Sequence, residues 1–197
     1  MIRTSLAATG LFTAALSLSK VLVRVVLTQL KNYLTGNDFY DRYQSAYREH
    51  HSTEALLLRV HDDLLRSLDA GDCVALLLLD LSSAFDTVSH SILLRRLHDV
   101  GIRGIALQWF ESYLTNRKQT VQIGSSLSAE VCLQSGVPQG SVLRPVLFCL
   151  YLLSMSRILQ TSSVRYHIFA DDTQLYLSLK KTEATCRLHE LRILQTF

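Results

Sequence analysis

Acid closes one apolar run of this chain and interrupts a second, and that arrangement restricts the fold more than any other feature. Val74-Ala75-Leu76-Leu77-Leu78-Leu79 ends in Asp80, and the stretches Val164 to Ala170 and Thr173 to Leu179 are separated by Asp171-Asp172. Short apolar runs bounded by turn signals read as buried strands, and the second pair reads as a β-hairpin with both acids at its bend. A carboxylate beside a buried strand is costly unless it is paired or bound to a cation. Acidic strand ends placed together therefore point to a site for a divalent cation, which prefers oxygen ligands. Each piece alone has a plainer reading: an Asp-Asp pair in an ordinary turn, and an Asp capping a strand or the next helix.

The remaining elements build a setting for such a site. Leu16 to Leu30 has the spacing of an amphipathic helix, and Ser52-Thr53-Glu54 opens another that ends at Gly71. A buried strand follows from Cys73 to Leu81, then helices over Ser89 to Val100 and Ile102 to Leu114, divided by Gly101. Thr120 to Ile123 and Glu130 to Leu133 read as short strands joined by the turn Gly124-Ser125-Ser126, and Ser135 to Gly140 as a loop. A long helix from Ser141 to Leu159 tolerates Pro145 in its first turn. The hairpin comes next, and a final helix starts near Thr182. This order suits an α+β layer in which helices cover one face of an antiparallel sheet and the open face carries the carboxylates.

Composition narrows the partners. At 197 residues and 48% hydrophobic, the chain suffices for one substantial core. Net charge is only +3, and residues 1–37 hold Arg3, Lys20, Arg24 and Lys31 without one acid, so the remainder is close to neutral. Charge alone does not point to nucleic acid, whose binders carry a stronger basic footprint. Cys73, Cys132, Cys149 and Cys186 lack metal-ligand spacing, and three of them lie in apolar stretches. The expectation is reduced thiols, no zinc, and an intracellular setting in the nucleus or cytoplasm. Lys20 and Arg24 interrupt the N-terminal apolar run before it reaches bilayer-spanning length, and no convincing cleavage site precedes them. No stable membrane association is expected.

The chemistry these acids suit is two-metal phosphoryl transfer. Two cations about 3.5–4 Å apart activate an attacking hydroxyl and stabilise the leaving group. Asp80 and Asp171 would bridge the ions with Asp172 beside them, while backbone N–H groups from Leu81 and Ser82 to Ala84 would meet a triphosphate.

Three ordered motifs carry a resemblance. Leu78-Leu79-Asp80-Leu81-Ser82-Ser83-Ala84-Phe85-Asp86-Thr87-Val88, Ser135-Gly136-Val137-Pro138-Gln139-Gly140-Ser141 and Phe169-Ala170-Asp171-Asp172 resemble the three catalytic motifs of reverse transcriptases from non-LTR (LINE-like) retrotransposons. Gln44-Ser45-Ala46-Tyr47-Arg48 with His51 to Glu54 resembles the segment those enzymes carry before the palm. The resemblance runs from about Leu16 to the end and implies a right-hand polymerase palm with partial fingers and no thumb. Residues 1–15 stay unassigned, 16–72 correspond to fingers and 73–197 mainly to palm. It implies two Mg²⁺ ions, with Mn²⁺ as a substitute, held by Asp80, Asp171 and Asp172. It also implies an RNA template, a DNA primer and a deoxynucleoside triphosphate. Phe85 resembles the aromatic gate against a ribose 2′-hydroxyl, and Gln139 and Gly140 the loop beside nucleotide and template.

Several departures from the family pattern stand out. Arg144 occupies a position usually held by glycine, Phe169 one commonly held by tyrosine, residues 1–15 lack the Arg-Pro fingers motif, and Phe197 falls before the family's next palm segments. They leave open an alternative in which the chain is an inactive relic or RNA-binding module that keeps the palm fold. A third reading, another two-metal enzyme such as a nucleotide cyclase, has no use for Gln139 and its glycine loop.

Overall fold

A computed structural model describes residues 10–48, 50–81 and 83–180, with side chains from Leu18 onward. In chain order the elements are α1 (Gly10–Gly36), α2 (Thr53–Asp69), β1 (Cys73–Asp80), α3 (His90–Asp99), α4 (Gly104–Leu114), β2 (Lys118–Gln119), β3 (Gln122–Ile123), β4 (Ser126–Leu127), β5 (Val131–Cys132), α5 (Arg144–Gln160), β6 (Arg165–Phe169) and β7 (Asp172–Leu179). The chain forms two compact units. One comprises residues up to Tyr40 with Ser83–Leu153, the other Asp41–Ser82 with residues from Ser154 on.

In the first unit Tyr33 of α1 donates a hydrogen bond from its hydroxyl to the Val100 carbonyl at 2.9 Å, which ties α1 to the turn between α3 and α4. Gly101 in that turn has φ +90°, and a Cβ there would lie 2.6 Å from the Tyr33 hydroxyl, so only glycine satisfies both the backbone and the approach. Leu93, Leu97, Leu114, Leu143, Leu147 and Phe148 are buried almost completely. The predicted strand pair is corrected here. Gly124-Ser125 closes a tight hairpin between β3 and β4, whereas β5 pairs with β2. The turn residues connect nearest neighbours, and the outer pairing is closed by Lys118, which meets Glu130 at 2.7 Å.

The second unit is an antiparallel sheet in the order β1-β7-β6. Ser52 caps α2 by accepting from the Ala55 N–H at 3.1 Å, as its sequence position predicts. Ile168 and Leu175 sit in the core at 0% and 2% exposure. Two expectations change. Cys73 to Leu81 is not a fully buried strand: β1 is an edge strand, with Leu76 and Leu78 exposed at 45% and 68%. Helices also cover both faces of the sheet. Asp63 of α2 accepts from the Tyr176 hydroxyl on one face, and Ser156 and Gln160 of α5 meet the Tyr166–Asp41 pair on the other. Among the described residues Cys73 and Cys132 are exposed and Cys149 is buried, and none of the three is in a disulfide. The final helix expected from Thr182, and Cys186, lie outside the described residues. No described helix is long and apolar enough to cross a membrane.

Candidate active site

The register of the second unit places Asp80, the last residue of β1, directly opposite Asp172, the first residue of β7. Side chains directly opposite in an antiparallel pair project from the same face, so two carboxylates share one strand end. Like charges so placed repel each other by a few tenths of a kcal/mol or more, roughly up to 1. Asp172 is therefore in the strand, not at the bend, and the two-residue turn is Ala170-Asp171. Ala170 has φ +58°, which costs a non-glycine residue about 1–3 kcal/mol.

Gln44 compensates part of that strain. Its Oε1 accepts from the Ala170 N–H at 3.3 Å and the Ala46 N–H at 3.0 Å, while segment 43–45 hydrogen-bonds to Ile168 on the edge of β6. Gln44 is 3% exposed and 126 residues from Ala170. The sequence marks its segment only by resemblance, and nothing local announces its part in holding the turn.

Among the described residues Asp80, Asp171 and Asp172 form no side-chain hydrogen bond or ion pair, so their oxygens are available to a cation. The donor set suits Mg²⁺, which takes one or two carboxylates and keeps other positions for water or phosphate. The register unites two of the acids and leaves the third in the adjoining turn. Among the described residues no group of three His, Cys, Asp or Glu side chains is gathered tightly enough to hold a metal ion as it stands. Leu81 is exposed, and Ser82 lies outside the described residues.

The later part of the first motif meets the second motif in the first unit. The Gly136 N–H donates to the Val88 carbonyl at 2.8 Å and the Val137 N–H to the Phe85 carbonyl at 3.2 Å. A Cβ on Gly136, at φ +85°, would lie 3.1 Å from the Asp86 carbonyl oxygen, so glycine permits this approach. The Gly136 carbonyl is held by the buried His90 ring at 2.8 Å and by Arg117 at 3.1 Å, two residues that the motif reading does not single out. Burial lowers the Arg117 pKa. Gln139 and Gly140 end the loop exposed, Gly140 at φ +76°.

Phe85 packs on Phe148 with ring centroids 4.5 Å apart. Arg144 lies over Phe85, its guanidinium 4.6 Å from the ring centroid and 2.9 Å from an Asp86 carboxylate oxygen. The cation that replaces glycine is thus absorbed by a cation–π contact and an ion pair, and its side chain is only 19% exposed.

Comparison with known proteins supplies the family. The family described as reverse transcriptase (RNA-dependent DNA polymerase) matches residues 13–197. The chain belongs to the reverse transcriptase family. Its relatives include a probable RNA-directed DNA polymerase from transposon X-element of Drosophila melanogaster, 33% identical over 135 residues, covering 68% of this chain and 15% of the relative. The polymerase from mobile element jockey of Drosophila funebris is 27% identical over 92% of this chain and 20% of the relative. This reverse transcriptase chain therefore spans a fifth or less of the length of those relatives, and its origin is a non-LTR retrotransposon. An apo telomerase from Candida tropicalis shares the fold, with TM-score 0.59 and 15% identity over 84% of this chain and 33% of that one.

Proposed function

We propose that this reverse transcriptase domain performs metal-dependent nucleotidyl transfer, joining a deoxynucleoside triphosphate to the 3′-hydroxyl of a DNA primer on an RNA template. The observation that carries the reading is the register pairing of Asp80 with Asp172 next to the strained turn that holds Asp171. Two uncompensated acids facing each other cost stability, which is understandable where a cation is to be held. Asp80, Asp171 and Asp172 would hold Mg²⁺ or Mn²⁺, whose chemistry is to lower the pKa of the attacking hydroxyl and stabilise charge on the leaving pyrophosphate.

The chain's own residues supply placement. Gln44 braces the turn, and the N–H group of Leu81 would meet the incoming phosphates. The family resemblance assigns Phe85 to the sugar 2′ position and Gln139 with Gly140 to the nucleotide and template. Residues 16–72 would act as fingers and 73–197 as palm. The test is extension of a DNA primer on an RNA template by the purified chain with Mg²⁺. Asp171→Asn should reduce extension to background, and unchanged extension in that variant would refute the site. A second reading has support in the absence of a preassembled three-acid cluster among the described residues. In it the domain binds template and primer without extending. Wild-type protein that binds an RNA–DNA hybrid but adds no nucleotide would select that reading.

A further inference from the structure

The end of the sheet remote from Asp171 holds a cavity of about 580 Å³ within the second unit, bounded by α2, the end of α5 and the start of β6. Its wall is aromatic. Tyr43 meets Tyr166 edge-on at 4.9 Å and His167 edge-on at 5.5 Å, and His167 stacks on Tyr176 at 6.1 Å. Hydrogen bonds from behind hold the wall in place. The Tyr166 hydroxyl donates to Asp41 at 2.8 Å, the Tyr43 N–H donates to the same carboxylate at 2.6 Å, and the Tyr176 hydroxyl donates to Asp63.

Arg42, Arg59 and Arg165 also line the cavity. The acids beside them are already engaged: Asp62 pairs with Arg66 at 2.8 Å, and Asp63 takes the Tyr176 hydroxyl with Arg165 at 3.8 Å. Arg42 rests over the Tyr43 ring at 5.9 Å. Neither Arg42 nor Arg59 has an ion-pair partner within 4.0 Å among the described residues. His167 is 4% exposed, and its Nδ1 lacks a hydrogen-bond partner. A fixed aromatic wall beside uncommitted guanidiniums is more than packing requires.

We propose that this cavity binds a nucleoside 5′-phosphate, either free or as one unit of a single strand, with its phosphate on Arg42 and Arg59 and its base against Tyr43. The guanidinium fork matches phosphate oxygens, and any base offers a π-face to an aromatic side chain. The volume falls in the roughly 300–1,000 Å³ range of small-molecule sites. Asp62 and Asp63 at the same cavity disfavour a densely charged polyanion but accept hydrogen bonds from an exocyclic amine. That chemistry favours a nucleotide over inorganic phosphate, and the planar wall favours it over an acidic peptide. Binding here uses no metal and does not depend on whether the domain extends a primer.

Equilibrium dialysis of labelled AMP and of labelled oligoadenylate against the full chain, without divalent cation, tests the site. AMP should bind, with adenosine and inorganic phosphate each competing at least about tenfold more weakly. The Arg42→Ala/Arg59→Ala pair, both exposed and so harmless to the core, should weaken AMP at least about tenfold with an unchanged circular-dichroism melt. Tyr43→Leu should weaken it severalfold, and Asp171→Asn should leave it unchanged. Oligoadenylate affinity lost in the arginine pair, if tenfold above that of AMP, assigns the site to a strand; equal affinity assigns it to a free nucleotide. Absent AMP binding, binding insensitive to the arginine pair, or displacement by an acidic peptide at lower concentration than AMP overturns the proposal.

Discussion

At one end of the three-stranded sheet Asp80, Asp171 and Asp172 have no side-chain partner among the described residues, whereas at the other Asp41, Asp63 and Asp72 are each tied to a hydroxyl or phenol. Asp41 accepts from Tyr166, Gln160 and the Tyr43 N–H, Asp63 from Tyr176, and Asp72 from Ser178 at 2.6 Å. The same residue type thus behaves in two ways around one sheet. Acids at the remote end are joined to the fold, and removing one leaves buried donors unpaired. Acids at the turn end have no such tie among the described residues, and two of them face each other, so removing one relieves the fold.

The largest expected effect lies at the turn end. Asp80→Asn should bring Mg²⁺-dependent primer extension to background without lowering the urea-unfolding midpoint; a variant that instead unfolds would show that Asp80 is structural and erase the contrast. Next is Asp41→Ala, which leaves the Tyr166 hydroxyl, the Gln160 amide and the Tyr43 N–H without their acceptor. It should cost about 2–4 kcal/mol of stability in urea titration. A loss under about 0.5 kcal/mol would make the two ends alike.

His167 sharpens the contrast through pH. Burial lowers its pKa, against the opposing pull of Asp63, with Arg59 and Asp41 also acting on it. A histidine whose folded pKa lies below its unfolded value binds more protons when unfolded. Stability should therefore be full above about pH 6.5, the unfolded value, and decline as pH falls from there toward the lower folded pKa. His167→Gln should flatten that decline in unfolding titrations. The smallest effect returns to the turn end: Asp172→Asn should stabilise the fold by a few tenths of a kcal/mol, since it removes the like-charge pair with Asp80. Destabilisation would mean that the carboxylate has a partner within the fold.

Much of this was legible residue by residue. Ser52 capping α2, Gly101 breaking α3 from α4, Pro145 in the first turn of α5 and the β6–β7 hairpin, its bend one residue earlier than expected, all act over a few residues, and local patterns report local structure. The misreadings concern pairing at a distance. The strand from Glu130 was joined to the wrong partner because a turn signal says where a chain reverses, not how far the ladder continues. The apolar run of β1 read as buried because hydrophobicity does not distinguish an edge strand from a central one.

The amino-acid order by itself determined the family, the places of the described helices and of the β6–β7 hairpin, and which three acids are candidates, because each is written in contiguous residues. Only the tertiary structure decided that Asp80 faces Asp172, that Gln44 braces a turn 126 residues away, and that Asp41 and Asp63 anchor an aromatic wall. Register and buried polar partners are set by which surfaces can be covered together and which donors must find acceptors. That condition belongs to the packed chain as a whole and leaves no mark in any short window of sequence.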